Sequence, residues 1–338
     1  MICLGIESTA HTFGASVSEL NSASFQIRSD CKDVYKAPPG SGIHPREASR
    51  HHEETCSAVV SNALTGANMS IEDVDFIAYS AGPGLGPCLR VGAVVARSLA
   101  TYFKKELVPV NHAIGHIELG KKLLSLNDPL VLLISGGHTV IAAGNSADWK
   151  IFGETLDLTV GQLLDQLGRY FGMSSPAGPK IEAKARDLNG YKDIIQQLPY
   201  AIKGNDVSYS GLLSSAKDAY SAGASQESVS FSVQEVAFAL LIEATERALA
   251  FTDKRELLVT GGVAANQRLS EMLLEMCASR GVKLGVIPRQ YSGDCGAQIA
   301  AAGFLFHEKG MIASVQDAFI RQSWRIDQVD FRRRSSAH

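Results

Sequence analysis

Two histidines four positions apart, His112 and His116, are the residues in this sequence best spaced for chemistry. Asn111 ahead of them is a good helix N-cap, because its side-chain oxygen accepts from the first free backbone amides. The i,i+4 spacing then puts both imidazoles on one helix face, within reach of a single divalent ion. A metalloprotease helix would read H-E-x-x-H, with the glutamate as general base. Ala113 follows His112 here, so that base is missing and peptide hydrolysis is disfavoured. A catalytic ion ordinarily takes at least three protein ligands. Asp294, in the polar turn Tyr291-Ser292-Gly293-Asp294-Cys295-Gly296-Ala297, is the best candidate for the third. The same position suits a helix N-cap equally well, and Cys295 is an alternative ligand. His44, His51 and His52 surround Pro45-Arg46-Glu47-Ala48-Ser49-Arg50, an early helix, and face either the same cleft or solvent.

A second kind of signal comes from small-residue turns that follow apolar strands. They are Ser8 to Thr12, Gly82-Pro83-Gly84-Leu85-Gly86, Ser135-Gly136-Gly137 and Gly261-Gly262-Val263-Ala264-Ala265-Asn266. Glycine lets backbone N–H groups approach an anion, and a following helix N-terminus adds favourable partial charge. None of the four matches a P-loop or a dinucleotide fingerprint. Several at the carboxyl ends of strands in one α/β frame point to a phosphate-bearing ligand in a cleft.

The elements that must position these residues repeat once. Leu4-Gly5-Ile6-Glu7-Ser8-Thr9-Ala10-His11-Thr12 has its counterpart in the run Leu130 to Thr139, with Ser8 and Ser135, His11 and His138, Thr12 and Thr139 all at one offset of 127. Each copy reads as a strand, a tight turn and a second strand, and the shared offset makes duplication the better reading. Around the hairpins, strands at 76–80, 107–110 and 257–260 alternate with helical patterns, which implies α/β lobes with mixed sheets. Residues 155–238 read as a mostly helical elaboration of the second lobe. The expected division is an N-terminal lobe over 1–128, a C-terminal lobe over 129–330 and a tail over 331–338.

Composition narrows the classes. A chain of 338 residues, 45% hydrophobic and 20% charged, is globular and long enough for two lobes. Apolar runs such as Leu130 to Ile134 fall far short of the roughly 20 residues of a membrane span, and 1–6 reads as a strand and not a signal peptide. Six cysteines without a C-x-x-C pair argue against a disulfide scaffold or zinc ribbon and for reduced thiols in the cytoplasm. A net charge of −3 is not the footprint of a protein that grips nucleic acid alone. The basic groups Lys104-Lys105, Lys121-Lys122 and Arg332 to Arg334 read singly as solvated.

Taken together, these motifs resemble the archaeal and eukaryotic tRNA threonylcarbamoyladenosine transferases, the catalytic subunits of the KEOPS complex, whose bacterial counterpart is TsaD. The resemblance runs from Gly5 to Ala297 and rests on Gly42-Ile43-His44-Pro45-Arg46-Glu47-Ala48, the Gly82 to Gly86 turn, Asn111-His112 with His116, and Ser135-Gly136-Gly137. It continues through Phe152 to Asp157, Lys203 to Leu212 and Gly261 to Asn266. It implies a duplicated, two-lobed actin-like ATPase fold with a helical insertion in the second lobe. It also implies His112, His116 and Asp294 as ligands of one iron or zinc ion. The site for threonylcarbamoyl-adenylate, ATP or AMP would comprise Ser135, Gly136, Gly137, Asp165, Gly178, Glu182 and Asn266. The implied reaction moves the threonylcarbamoyl group to the exocyclic amine of the adenosine beside the tRNA anticodon and releases AMP. Implied partners are tRNA, a small kinase and a small dimerising subunit. The alternatives within the fold are a small-molecule kinase and a chaperone-like ATPase. Leu133 stands where archaeal relatives usually carry a tyrosine that looks like a further ligand, His138 where they carry Asn, and Cys295 replaces a common Asn.

Overall fold

The computed structural model describes residues 1–22, 24–38, 41–144, 148–188 and 193–331. Arg332 to Arg334, and with them the tail beyond Phe331, lie outside the described residues.

The first half runs β1 (Ile2–Glu7), β2 (Thr12–Leu20), β3 (Phe25–Val34), α1 (Pro45–Gly66), β4 (Phe76–Gly82), α2 (Gly86–Phe103), β5 (Glu106–Asn111) and α3 (His112–Leu124). The second runs β6 (Leu130–Ile134), β7 (Thr139–Gly144), β8 (Trp149–Glu154), α4 (Val160–Tyr170), α5 (Gly178–Arg186), a short hairpin of β9 (Ile202–Lys203) and β10 (Asp206–Val207), and α6 (Ser210–Ser221). It closes with α7 (Gln226–Thr252), β11 (Glu256–Thr260), α8 (Gln267–Arg280), β12 (Lys283–Val286) and α9 (Gly296–Glu308). The two five-stranded sheets have orders β3-β2-β1-β4-β5 and β8-β7-β6-β11-β12, the same position for position. In each, an antiparallel meander is extended by two parallel strands. The duplication seen as an offset of 127 is therefore a duplication of topology.

This equivalence pairs α7 with α1, so α7 belongs to the repeated frame. The elaboration accordingly ends before Gln226, not at Phe238, and it contains the β9–β10 hairpin among its helices. Asp157 ties it to the second sheet: its carboxylate accepts from the Tyr209 amide (2.8 Å) and from the hydroxyls of Ser208 and Ser210 at the start of α6. The helix α7 is apolar enough and long enough to cross a membrane by composition, yet its apolar residues are buried in the second core.

Two helices are exchanged between the halves. Leaving β5, α3 lies against β6, β11 and β12, whereas α9 lies on β1, β2, β4 and β5 of the first sheet, and the two helices pack on each other. Their apolar faces divide accordingly. Ile114 and Ile117 join the first core and Leu119 the second; Ile299 and Phe304 join the first and Ala297 and Ala301 the second. The approach of α9 to the sheet is close. A Cβ on Gly5 would stand 2.5 Å from the Ala300 nitrogen, and one on Gly296 would stand 2.4 Å from the Ala15 carbonyl carbon. Because the obstacles are backbone atoms, Gly5→Ala must push α9 outward. The expected cost is about 1–3 kcal/mol, read as a lowered denaturation midpoint with an unchanged m-value.

Helix α1 is tied to the first hairpin turn by His52, which is fully buried and donates from Nε2 to the Ala10 carbonyl at 3.1 Å. Burial, with the neighbouring His51, lowers this imidazole to about 4. The folded value lies below the unfolded one, so the unfolded chain binds more protons between them. The stabilisation is complete above about pH 6.5 and is lost as pH falls toward 4, at up to about 1.4 kcal/mol per pH unit. In a melting series from pH 7 to 4.5, His52→Gln should therefore decline less steeply than wild type; parallel curves would remove His52 as a source of acid sensitivity.

Candidate metal centre and nucleotide cleft

The start of α3 is built as the sequence predicts. Asn111 Oδ1 accepts from the Ala113 and Ile114 amides at 3.0 and 3.2 Å, and its Nδ2 donates to the Trp324 carbonyl at 2.9 Å. This cap fixes the first turn, from which His112 and His116 project with ring centroids 4.8 Å apart and planes nearly perpendicular. Asp294 Oδ1 faces both, 3.6 Å from His112 Nε2 and 3.4 Å from His116 Nε2. One donor atom from each of the three lies within 4.8 Å of the others.

The structure decides between the two readings of Asp294. Cys295, not Asp294, occupies the N-cap position of α9, and the capping carboxylate comes from β3, where Asp30 Oδ1 accepts from the Ala297 amide at 2.9 Å. Asp294 is left free to face the histidines. The Cys295 thiol is buried, contacts Gln298 at 3.9 Å and is held well above the ordinary thiol range by that burial, so it is a poor competitor for a metal.

Behind His112 stands a residue that spacing did not reveal. Glu7, buried at the end of β1, accepts from His112 Nδ1 at 2.9 Å and from the Thr9 amide at 2.6 Å. Gln298 Nε2 from α9 donates to the same carboxylate at 3.3 Å. A carboxylate on Nδ1 orients the ring and turns Nε2 toward Asp294, the arrangement that supports metal-bound histidine. Burial works against charge on His112, but Glu7, with Asp294, pushes it up to about 9. Burial likewise opposes charge on Asp294, yet His116 and His112 hold its carboxyl well below the usual range. His116 is lowered by burial, and neither of its nitrogens has a hydrogen-bond partner among the described residues. Two buried imidazoles and a carboxylate, one imidazole unsatisfied, form a donor set that fits a divalent cation.

The other histidines fall outside this triad. His44 is exposed, His51 meets Asp33 at 3.0 Å and His52 holds Ala10. The paired hairpin residues come nearer: the His138 ring stacks on His112 with centroids 6.1 Å apart, and burial drives it down to about 3. Leu133 is buried and supplies no donor, so the cluster that could hold a metal ion comprises three side chains.

The seven residues expected around a nucleotide form a connected arc. In the β6–β7 turn, Ser135 Oγ accepts from the Gly137 and His138 amides at 3.2 and 3.0 Å, and the Gly136 carbonyl accepts from Thr159 Oγ1 at 3.0 Å. Thr159 caps α4, whose Asp165 accepts from the Ala177 amide at 2.6 Å and so anchors the start of α5 at Gly178. From α5, Glu182 accepts from the Gln267 amide at 3.0 Å. Asn266 caps α8 through the Leu269 amide and donates to Gln234 at 3.0 Å. A Cβ on Gly136 would meet nothing within 4 Å, and one on Gly178 only Leu164, so these glycines keep a backbone face open.

Residues 26–301 match the family model "TsaD: tRNA N6-adenosine threonylcarbamoyltransferase". The chain belongs to this family. A Caldivirga maquilingensis tRNA N6-adenosine threonylcarbamoyltransferase is 43% identical over 329 residues, 97% of each chain. A Methanocaldococcus jannaschii protein named a probable bifunctional tRNA threonylcarbamoyladenosine biosynthesis protein is 45% identical over 98% of this chain but only 60% of its own length. Among solved structures, T. kodakarensis HypF superposes with a TM-score of 0.61 at 15% identity, over 91% of this chain and 48% of that one. The Clostridium difficile activator of 2-hydroxyisocaproyl-CoA dehydratase, solved with bound ADPNP, gives 0.51 at 12% over 91% and 95%. The fold is the duplicated, two-lobed actin-like ATPase fold.

Glu7→Gln tests the metal centre without touching a donor atom. It keeps the shape but removes the charge that orients His112, so affinity for zinc measured by competition with a chromogenic chelator should fall about 10–100-fold. Unchanged affinity would separate Glu7 from the centre.

Proposed function

We propose that this chain transfers a threonylcarbamoyl group from threonylcarbamoyl-adenylate to the exocyclic amine of the adenosine beside the tRNA anticodon, with release of AMP. The observation that carries the reading is the His112–His116–Asp294 triad, its histidines buried, in a chain that matches a named tRNA N6-adenosine threonylcarbamoyltransferase over 97% of its length. A kinase or a chaperone-like ATPase of this fold has no use for that triad.

In the reaction a bond forms between the amine nitrogen and the carbamoyl carbon. The bond from that carbon to the adenylate phosphate oxygen breaks, AMP takes the electron pair, and the amine proton passes to solvent. An iron or zinc ion held by His112, His116 and Asp294 would supply Lewis acidity at the attacked carbonyl. The chain's own residues do the rest. Glu7, itself held by Gln298, keeps His112 in one orientation. The open backbone at Gly136 and Gly137 and the N-terminus of α5 at Gly178 receive the phosphate, while Ser135, Asp165, Glu182 and Asn266 border the rest of the nucleotide. An activated donor needs no serine nucleophile, in keeping with a site built from metal donors and backbone amides.

The net charge of −3 assigns most of the tRNA contact to local basic patches and to partner subunits. The bifunctional relative carries further sequence fused to a body like this one. We infer separate partners of the KEOPS type, a small kinase and a small dimerising subunit. All six cysteines are free, which suits the cytoplasm, where tRNA is modified.

The double variant His112→Ala with His116→Ala, assayed with partners, tRNA and the adenylate, should lose about 10²-fold or more in AMP release and modified tRNA. AMP binding should stay within about twofold, since the nucleotide arc is separate. Transfer at the wild-type rate would sink the metal role.

A further inference from the structure

A cavity of about 390 Å³ lies between the lobes, bounded by α3, the inner face of β6–β8 and the segment 323–326. That volume is in the range small ligands occupy. Its floor is apolar, made by Ile117, Val131, Leu133 and Ala142, with Trp324 and His138 among the remaining walls. His138 is the partition: one side belongs to the cavity, and its ring stacks on the metal-centre residue His112. Gly137 of the nucleotide turn also lines it. A ligand here would stand one imidazole away from the triad.

The polar inventory narrows what that ligand is. The hydroxyls of Thr139, Thr155 and Thr159 on the rim are already engaged within the chain. Arg325, the cation on the wall, is held by both oxygens of Glu154 at 3.1 and 3.2 Å and by Asp327 at 3.2 Å. The buried side-chain atoms here that lack a partner among the described residues are the Trp324 indole Nε1 and His138 Nδ1, and the exposed Ser323 hydroxyl also lines the wall. A donor arm bearing a carboxylate finds no available cation here. A flat, uncharged heterocycle finds an apolar floor, an N–H that donates and an imidazole nitrogen that accepts. Those match a ring nitrogen and an exocyclic amine on one edge of adenine. Bases that undergo chemistry are turned out of their stack and read on that edge between apolar and aromatic walls.

We propose that this cavity receives the acceptor adenine of the tRNA, turned out of the anticodon loop, with its amine directed past His138 toward the metal centre. The inference rests on the transferase reading and assigns its acceptor subsite. Ala142→Leu, which narrows the floor, should lower kcat/KM for tRNA on the order of 10²-fold, with the adenylate KM within about twofold. Trp324→Phe keeps an aromatic wall and removes one donor; it should cost on the order of tenfold in kcat/KM for tRNA. A tRNA carrying 2-aminopurine at the acceptor position reports the base directly. Its fluorescence should change on binding the wild-type complex and fail to change with Ala142→Leu, while filter binding of the tRNA persists. Wild-type transfer together with undiminished transfer by both variants, or a loss confined to the adenylate KM, would overturn the acceptor pocket. Absence of transfer by the wild-type complex would instead overturn the transferase reading, and the pocket with it.

Discussion

The crossing of α3 and α9 is the constraint on which the rest of the molecule depends. Each helix is contributed by one half and packed against the sheet of the other, so neither core closes without its partner. The glycines at positions 5 and 296 let α9 lie directly on the β1–β2 hairpin. That contact brings Gln298 to Glu7, and Glu7 in turn fixes His112. A triad whose members lie about 180 residues apart in sequence is thus a by-product of how two repeats interlock. The same interlock explains why the histidines are buried and the aspartate half-buried, since they sit where two cores meet.

Such a site is electrostatically expensive. Burial disfavours charge on His112, His116 and Asp294 alike, and the cluster persists because Glu7 and Asp294 compensate His112 while His112 and His116 compensate Asp294. Apart from facing Asp294, the His116 imidazole makes no hydrogen bond among the described residues. Preorganised donors with an unmet requirement favour binding over stability, which is typical of functional positions.

Much of this was legible beforehand. Asn111 announced the helix that carries the histidines, and the repeated Ser, His and Thr positions announced the duplicated hairpins. The face of α3 followed from spacing alone. Other parts required three dimensions. Asp294 could not be told from an N-cap until Asp30, from a distant strand, was found in that role. Glu7 carries no local signal, since an acidic residue closing an apolar strand is ordinary, and its counterpart at the same offset is Ile134. The two hairpins also differ in register: Glu7 pairs with Gly14, whereas Ile134 pairs with Thr139. A shift of two residues preserves which face each side chain takes, so the pattern survives while the turn is rebuilt. The elaboration was overextended to Phe238 because α7 is helical like the segments before it; only sheet topology shows that it belongs to the repeat.

The position of α9 also bears on how the chain is made. During synthesis the first sheet emerges early, yet the helix that covers its apolar face appears only after nearly 300 residues, and the link from Gln298 to Glu7 spans 291 positions. Until then Phe13, Phe76 and their neighbours lack part of their cover. Closing contacts of such long range is slow and leaves apolar surface open to association. The nascent N-terminal half is thus the stage at which this protein most needs shielding, and the meeting of His112, His116 and Asp294 marks the end of that interval.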